Sequence, residues 1–253
     1  LYVTLLILSG TGLAYSLFPE PGLRRPAIIH ELTTLEVLSG TEYSHINSYT
    51  SLFSPRGGRY SLSFQPPETV LQHTFYRGNR QADEAIEATA AGPFTLNNIT
   101  LAPWTLRVFR TESMGPSPIS VQAQRYSTGL TVHVKNQGDM PLQGIVVVYY
   151  GEIFSLGSIA PGETLLQDFY TPTQASESKN EAVWQTLLKH RPANNNSHLS
   201  FLQEAILQHH FGDRSLSQSH QQPFLVGWLL APSAIQPTAQ LAASGVTLII
   251  SPL

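Results

Sequence analysis

The sequence predicts a mainly β protein: two β-sandwich modules, the second carrying a two-helix insertion, preceded by a truncated transmembrane helix. Three observations predict it. Apolar and polar residues alternate with a period of two over most of the chain after Arg25, punctuated by Gly, Pro and Asn. The period changes to helical spacing only between about 177 and 212. The first eighteen residues, LYVTLLILSGTGLAYSLF, carry no charge.

Those eighteen residues need an apolar surrounding, and about 20 apolar residues span a bilayer core as a helix. A membrane helix over 1–18 with one further turn upstream is the expectation. The rivals are the apolar region of a signal peptide, which lacks a small-residue cleavage site here, and a buried strand pair turning at Ser9 to Gly12. Pro19-Glu20-Pro21-Gly22 ends the segment and opens a linker over 19–26. The first module is placed at 27–114. In TEYSHINSYTSLF, Tyr43, His45, Asn47, Tyr49, Ser51 and Phe53 share one face, and Ile46, Thr50 and Leu52 the other. Ser54 to Gly58 then supplies turn chemistry, and RYSLSF, with Tyr60, Leu62 and Phe64 inward, is expected to complete a hairpin. Further strands read at 73–77, 94–101 and 104–110, where Trp104, Leu106 and Val108 alternate with Thr105, Arg107 and Phe109. Gly115 to Pro118 is read as a break between the modules.

The second module, 115–253, opens with ISVQAQRYS and LTVHVKN, the latter with Leu130, Val132 and Val134 inward and Thr131, His133 and Lys135 outward. After the turn NQGDMP, QGIVVVYY is apolar on both faces, as expected of a central strand covered on each side. Gly151-Glu152 allows a tight reversal into IFSLGSIA, and Ala160 to Glu163 turns the chain into TLLQDFY. Four strands in about forty residues is the rhythm of a small antiparallel sandwich. Val183, Leu187 and Leu188, then Leu199, Leu202 and Ile206, fall at helical spacing, with Asn196 or Ser197 able to cap the second helix and Gly212 to end it. FLVGWLL and GVTLIIS follow as two buried strands.

The net charge of −3, with lysine only at 135, 179 and 189, offers no basic stripe for nucleic acid. Cysteine is absent, which excludes disulfides, thiolate metal sites and cysteine nucleophiles. The densest histidine cluster is His209-His210-Phe211-Gly212-Asp213. Adjacent histidines leave a helix on different sides, so a solvated helix end explains them better than a metal. His133, His198 and His220 read as surface residues. Asp83, Glu84 and Glu87, even paired with Glu163 or Asp168, read as solvated loop acids and not a glycosidase pair. No nucleophile elbow, phosphate loop or zinc-helix motif occurs. Among Tyr43, Tyr49, Tyr149, Tyr150, Trp104, Trp184 and Trp228 a sugar-stacking platform could form, but Trp104 and Trp228 read as core. The sequons at Asn98 and Asn195 carry no weight. No catalytic, cofactor-binding or metal residue is assigned.

The order of SLFSPRGGRYSL, APWTLRVFR, LTVHVKNQGDMPLQGIVVVYYGEIFSLGSIAPGE and PFLVGW after an apolar span resembles the extracytoplasmic β-rich region of uncharacterised bacterial multi-pass membrane proteins. Residues 130–169 also resemble the immunoglobulin-like modules of bacterial surface proteins, in which an N-x-x-x-x-P-L turn and an A-P-G-E turn bracket the strands. The resemblance implies an immunoglobulin-like second module at the bacterial cell membrane with its β domains outside the cytoplasm, although Arg24 and Arg25 run against the positive-inside tendency. The expected function is a non-catalytic structural or interaction domain of an envelope complex, with the membrane (through 1–18) and a protein as partners and no cofactor. A carbohydrate-binding or glycan-processing module is the first alternative, and a metal-dependent hydrolase around His209 the second.

Overall fold

The computed structural model describes residues 27–38, 40–64, 70–77, 87–89, 94–170, 182–192, 197–212, 223–229, 236–237 and 241–253. The expected membrane helix at 1–18 and linker at 19–26 lie outside them. Among the described residues no helix is long and apolar enough to cross a membrane. The protein is mainly β, with strands β1 (Ala27–Val37), β2 (Tyr43–Ser54), β3 (Gly58–Phe64), β4 (Val70–Arg77), β5 (Glu87–Thr89), β6 (Phe94–Leu101), β7 (Thr105–Pro116), β8 (Ile119–Tyr126), β9 (Gly129–Asn136), β10 (Leu142–Tyr149), β11 (Glu152–Ile159) and β12 (Thr164–Tyr170). Helices α1 (Val183–Lys189) and α2 (Ser197–Phe211) follow, then β13 (Phe224–Leu229), β14 (Gln236–Pro237) and β15 (Leu241–Pro252). The chain divides into two compact units, and β1, β2, β7 and β15 each contribute residues to both.

Unit 1 takes the described residues up to Thr33, those of Asn47–Met114 and those of Ala231–Gly245. One layer is the sheet segment β1-β2-β7-β4, and the other the small sheet β14-β3-β6-β5. Their facing side chains form one core, with Ile29, Leu52, Leu62, Leu96, Ile99 and Phe109 all fully buried. The sandwich layering differs from the sequence expectation at one point. β3 does not form a hairpin with β2; it pairs with β6 (Leu62↔Leu96) and β14, while β2 stays beside β1 and β7. Gly57 and Gly58, at φ +74° and +141°, turn the chain from one sheet into the other. The corner is held by Tyr60, whose hydroxyl lies 2.6 Å from Ser54 Oγ and donates to the Gly57 carbonyl at 3.1 Å.

β7 continues through Gly115 and Pro116, and the division between the two units falls within it, between Met114 and Gly115. Its pairing with β4 ends at Glu112, so Pro116 removes no donor from that ladder. Trp104 does not join the inward set of β7: the strand begins at Thr105, and the indole is 59% exposed.

Unit 2 takes Thr34–Ile46, Gly115–Leu230 and Val246–Leu253, within the described residues. Its larger sheet segment runs β11-β10-β13-β15-β1-β2, and its second sheet is β12-β9-β8. The chain alternates between them. β8 pairs with β9, β10 with β11 in the other sheet, and β12 returns to pair with β9 (Leu165↔Val134, Phe169↔Leu130). Leu130, Val132 and Val134 face Leu142, Ile145, Val147 and Leu225 in a shared core, as the alternation required. Tyr150 and Gly151, at φ +51° and +76°, make the two-residue β10–β11 turn in which both central residues need positive φ.

The helices sit against the other face of the larger sheet. Phe211 stacks on Phe224 of β13 at 5.5 Å, and the 190–192 segment crosses Gly144 of β10 so closely that a Cβ there would meet the His190 carbonyl oxygen at 2.8 Å. β10 is thus covered on both faces. α2 buries Leu202, Ile206, Leu207 and Phe211 and ends one residue before Gly212. It also buries Gln203 completely, with neither amide atom hydrogen-bonded. Two orphaned polar atoms cost more than an apolar isostere. Gln203→Leu is therefore expected to stabilise unit 2 by about 1 to 2 kcal/mol, read as a higher urea midpoint at unchanged slope.

Candidate functional site

Among the described residues, the acids and histidines singled out by sequence are not brought together. Glu163 Oε2 accepts the Ala160 amide at 2.8 Å and closes the A-P-G-E turn. Asp168 accepts the Thr131 hydroxyl across the β12–β9 pair. Both carboxylates are strand and turn fittings. Asp83, Glu84, Asp213 and His220 lie outside the described residues, and the side chains of Glu87 and His198 do too. His209 is exposed near the end of α2, and His210 Nδ1 lies 3.9 Å from Glu36 Oε1 with its ring edge-on to Phe211. Among the described residues no three His, Asp or Glu groups are gathered to hold a metal.

The aromatic candidates divide by burial. Trp228 and Tyr149 are core residues, Trp184 is half-buried, and Tyr49 lies under the Arg110 guanidinium at 5.7 Å. Tyr43, Tyr150 and Trp104 are exposed. Asn98, the described sequon asparagine, is an exposed residue of β6 at φ +56°.

A coherent surface forms elsewhere, on the outer face of the β12-β9-β8 sheet in unit 2. Side chains alternate between faces along a strand. The parity that buries Val132, Val134 and Phe169 therefore turns Thr131, His133 and Lys135 of β9 outward with Leu166, Asp168 and Tyr170 of β12. The register aligns them in rows: Leu166, His133 and Gln122; Asp168, Thr131 and Gln124; Tyr170, Gly129 and Tyr126. Leu166 is 65% exposed, Tyr170 75% and Tyr126 51%. In the last row two tyrosines flank a residue without a side chain. Two strand spacings put their backbones about 10 Å apart. Gly129 is obligatory there, because a Cβ would lie 2.1 Å from the Phe169 carbonyl oxygen. Sequence reading placed these strands but missed the face; its signal was the parity of Leu166, Asp168 and Tyr170, opposite to that of Phe169.

A second exposed feature lies at one end of unit 1. Trp104 holds φ +62°, a region that costs a non-glycine residue about 1 kcal/mol or more. Its amide donates to the Ser54 carbonyl at 2.8 Å, and its ring meets Phe53 edge-on at 6.1 Å. Thr105 Oγ1 donates to the Ala102 carbonyl at 2.6 Å and tightens the turn. The adjoining 54–59 connection carries Arg56 and Arg59, both exposed.

No curated protein matches the chain. Among solved structures it is similar to the yeast delta-COP-I mu-homology domain, alone (TM-score 0.42) and complexed with a Dsl1 WxWxV peptide (TM-score 0.40). Each match has 9% identity and covers 92% of this chain and 97% of the other. At those scores the likeness carries no argument about this chain. Residues 118–253, which include the whole β12-β9-β8 sheet, match the model of a family described as a domain of unknown function (DUF8725), and with more than half of its length matched the chain belongs to that family.

Proposed function

We propose that the protein is a non-catalytic interaction domain that binds a partner protein through the outer face of the β12-β9-β8 sheet. The observation that carries this reading is the exposure of Tyr126, Leu166 and Tyr170 on a single face whose reverse side is the core. Large apolar side chains gathered on one surface mark interaction sites, and tyrosine is enriched where binding energy concentrates. Asp168, Thr131, Gln122 and Gln124 supply the polar contacts that would fix orientation. The finer reading of unit 2 as immunoglobulin-like rests on the two hairpins in opposite layers and on β12 returning to β9. Tethering by residues 1–18 and an extracytoplasmic position in a bacterial envelope complex rest on the uncharged apolar run and on the turn patterns at 136–142 and 160–163.

Leu166→Ser with Tyr170→Ser tests the proposal. Exposed positions tolerate substitution within about 0.5 kcal/mol, so the unfolding midpoint should hold. Loss of two central apolar anchors should weaken a partner by about 2 kcal/mol or more, some 30-fold. The measurement is co-purification of the full-length protein from its native membrane before and after substitution, with a photo-crosslinker at position 166. Undiminished recovery of the same partner would sink the proposal.

A further inference from the structure

The described part of β1 begins at the Trp104 end of unit 1. Ser51 Oγ donates to the His30 carbonyl at 3.4 Å, and Thr33 Oγ1 lies 2.8 Å from Ser48 Oγ. Position 30 therefore faces 51 and 33 faces 48, an antiparallel register that sets Ala27 beside Ser54. Ser54 in turn accepts the Trp104 amide at 2.8 Å. Gly58 pairs with Leu101, and Arg77 with Leu106. The start of β1, the end of β2, the start of β3, the end of β4, the end of β6 and the start of β7 thus meet at one end of the unit. Ala27, with which β1 begins, lies at this end, and eight residues such as 19–26 span at most about 28 Å.

The chemistry exposed at that end is specific. Trp104 presents its indole from a backbone conformation that favours glycine. Arg56 and Arg59 flank Gly57 and Gly58, where a Cβ added at Gly57 would meet the Pro103 nitrogen at 2.9 Å, and the described connections 54–59 and 101–105 contain no acid. In the sequence Arg24 and Arg25 precede β1 by one residue, Pro26. Tryptophan is favoured at the headgroup level of a bilayer. Arginine can lay its alkyl stem along apolar surface while its head stays in the polar layer. An anionic leaflet attracts each such charge by roughly a five-fold factor.

We propose that this end of unit 1 docks on an anionic phospholipid surface through Trp104, Arg56 and Arg59. The proposal rests on the reading of residues 1–18 as a membrane span, and it adds that the β domain is held against the bilayer and does not swing free on its linker. A protein partner at the same tip is the competing occupant, and it leaves a different signature.

The full chain is reconstituted into vesicles of phosphatidylcholine with phosphatidylglycerol, and tryptophan fluorescence is quenched with lipids brominated near the headgroup. Residues 1–18 contain no tryptophan, and Trp228 is buried. The expected result is quenching that disappears in Trp104→Tyr, which keeps a ring against Phe53. It should weaken about 25-fold in the docking equilibrium for Arg56→Gln with Arg59→Gln, from two charges at roughly five-fold each. It should also fall in high salt or in phosphatidylcholine alone. A chain that survives an alkaline carbonate wash with Trp104 unquenched overturns the docking and leaves the membrane span standing. A chain removed by that wash defeats the span and the docking together. Quenching indifferent to lipid charge and to both arginines overturns the anionic surface, and crosslinking from position 104 to protein with no quenching assigns the tip to a protein.

Discussion

Asn136→Ala should cost unit 2 about 3 kcal/mol, the largest loss expected from removing one polar side chain. Asn136 is fully buried at the end of β9 and makes every bond its amide can usefully make. Nδ2 donates to the Met140 carbonyl at 2.9 Å and to the Ile159 carbonyl at 3.1 Å, and Oδ1 accepts the Gly138 amide at 3.0 Å. Its backbone is equally engaged, with its amide on the Glu163 carbonyl and its carbonyl accepting Gly162 N–H, both at 3.0 Å. One residue therefore joins the crossover from β9 to β10 to the turn from β11 to β12, two of the places where the chain changes layers. Alanine orphans two carbonyls and an amide, of which only those at Met140 and Gly138 lie where water can reach. Asn136→Asp should be worse at neutral pH, because a carboxylate oxygen would replace the donor that faces two carbonyl oxygens. In a Trp104→Phe background the remaining tryptophans, Trp184 and Trp228, both belong to unit 2. Their fluorescence in urea then reads this unit alone, and a midpoint unchanged by Asn136→Ala would refute the hub.

Local rules carried the reading of unit 2 a long way. Alternation alone placed Leu130, Val132 and Val134 in the core, and the apolar run at 144–149 announced a strand covered on both faces. The two turns now joined by Asn136 were legible as turns, but their mutual bonding was not, because Asn136 and Ile159 are distant in sequence. Non-local pairing also defeated the β2–β3 hairpin. Gly57-Gly58 says that the chain turns there, not which strand it meets next. Trp104 was misread because its spacing from Leu106 and Val108 fits a strand, while a single positive φ one residue before Thr105 turns it out. β1 escaped notice because Glu31, Thr33 and Thr34 are buried polar residues that break the alternation. The candidate face was the least legible feature. An outward leucine or tyrosine in a strand is ordinary by itself, and only the register shows that Leu166, Tyr170 and Tyr126 share a surface.

Gly129→Ala is the sharpest test of how that surface is built. The added Cβ would stand 2.1 Å from the Phe169 carbonyl oxygen, a backbone atom of a paired strand with no side-chain freedom to yield. Gly129 is not among the positive-φ residues, so the demand is for space and not for a left-handed backbone. Relief requires β12 to move away from β9 at the Tyr170↔Gly129 end, which strips the ladder where it holds the two-tyrosine row. Overpacking of this kind costs about 3 kcal/mol, and the loss should be local first. Hydrogen exchange should show β12 amides losing protection while β10 and β13 in the other sheet keep theirs. Partner recovery should fall as well, by displacement of Tyr170 with its side chain intact. The pair of results separates two roles for one face: Leu166→Ser with Tyr170→Ser removes the contacting groups and spares the fold, whereas Gly129→Ala keeps the groups and removes the strand that aims them. If Gly129→Ala loses β12 protection yet retains the partner at full strength, the partner does not read that row, and the binding face must then be sought around Leu166 and His133 alone.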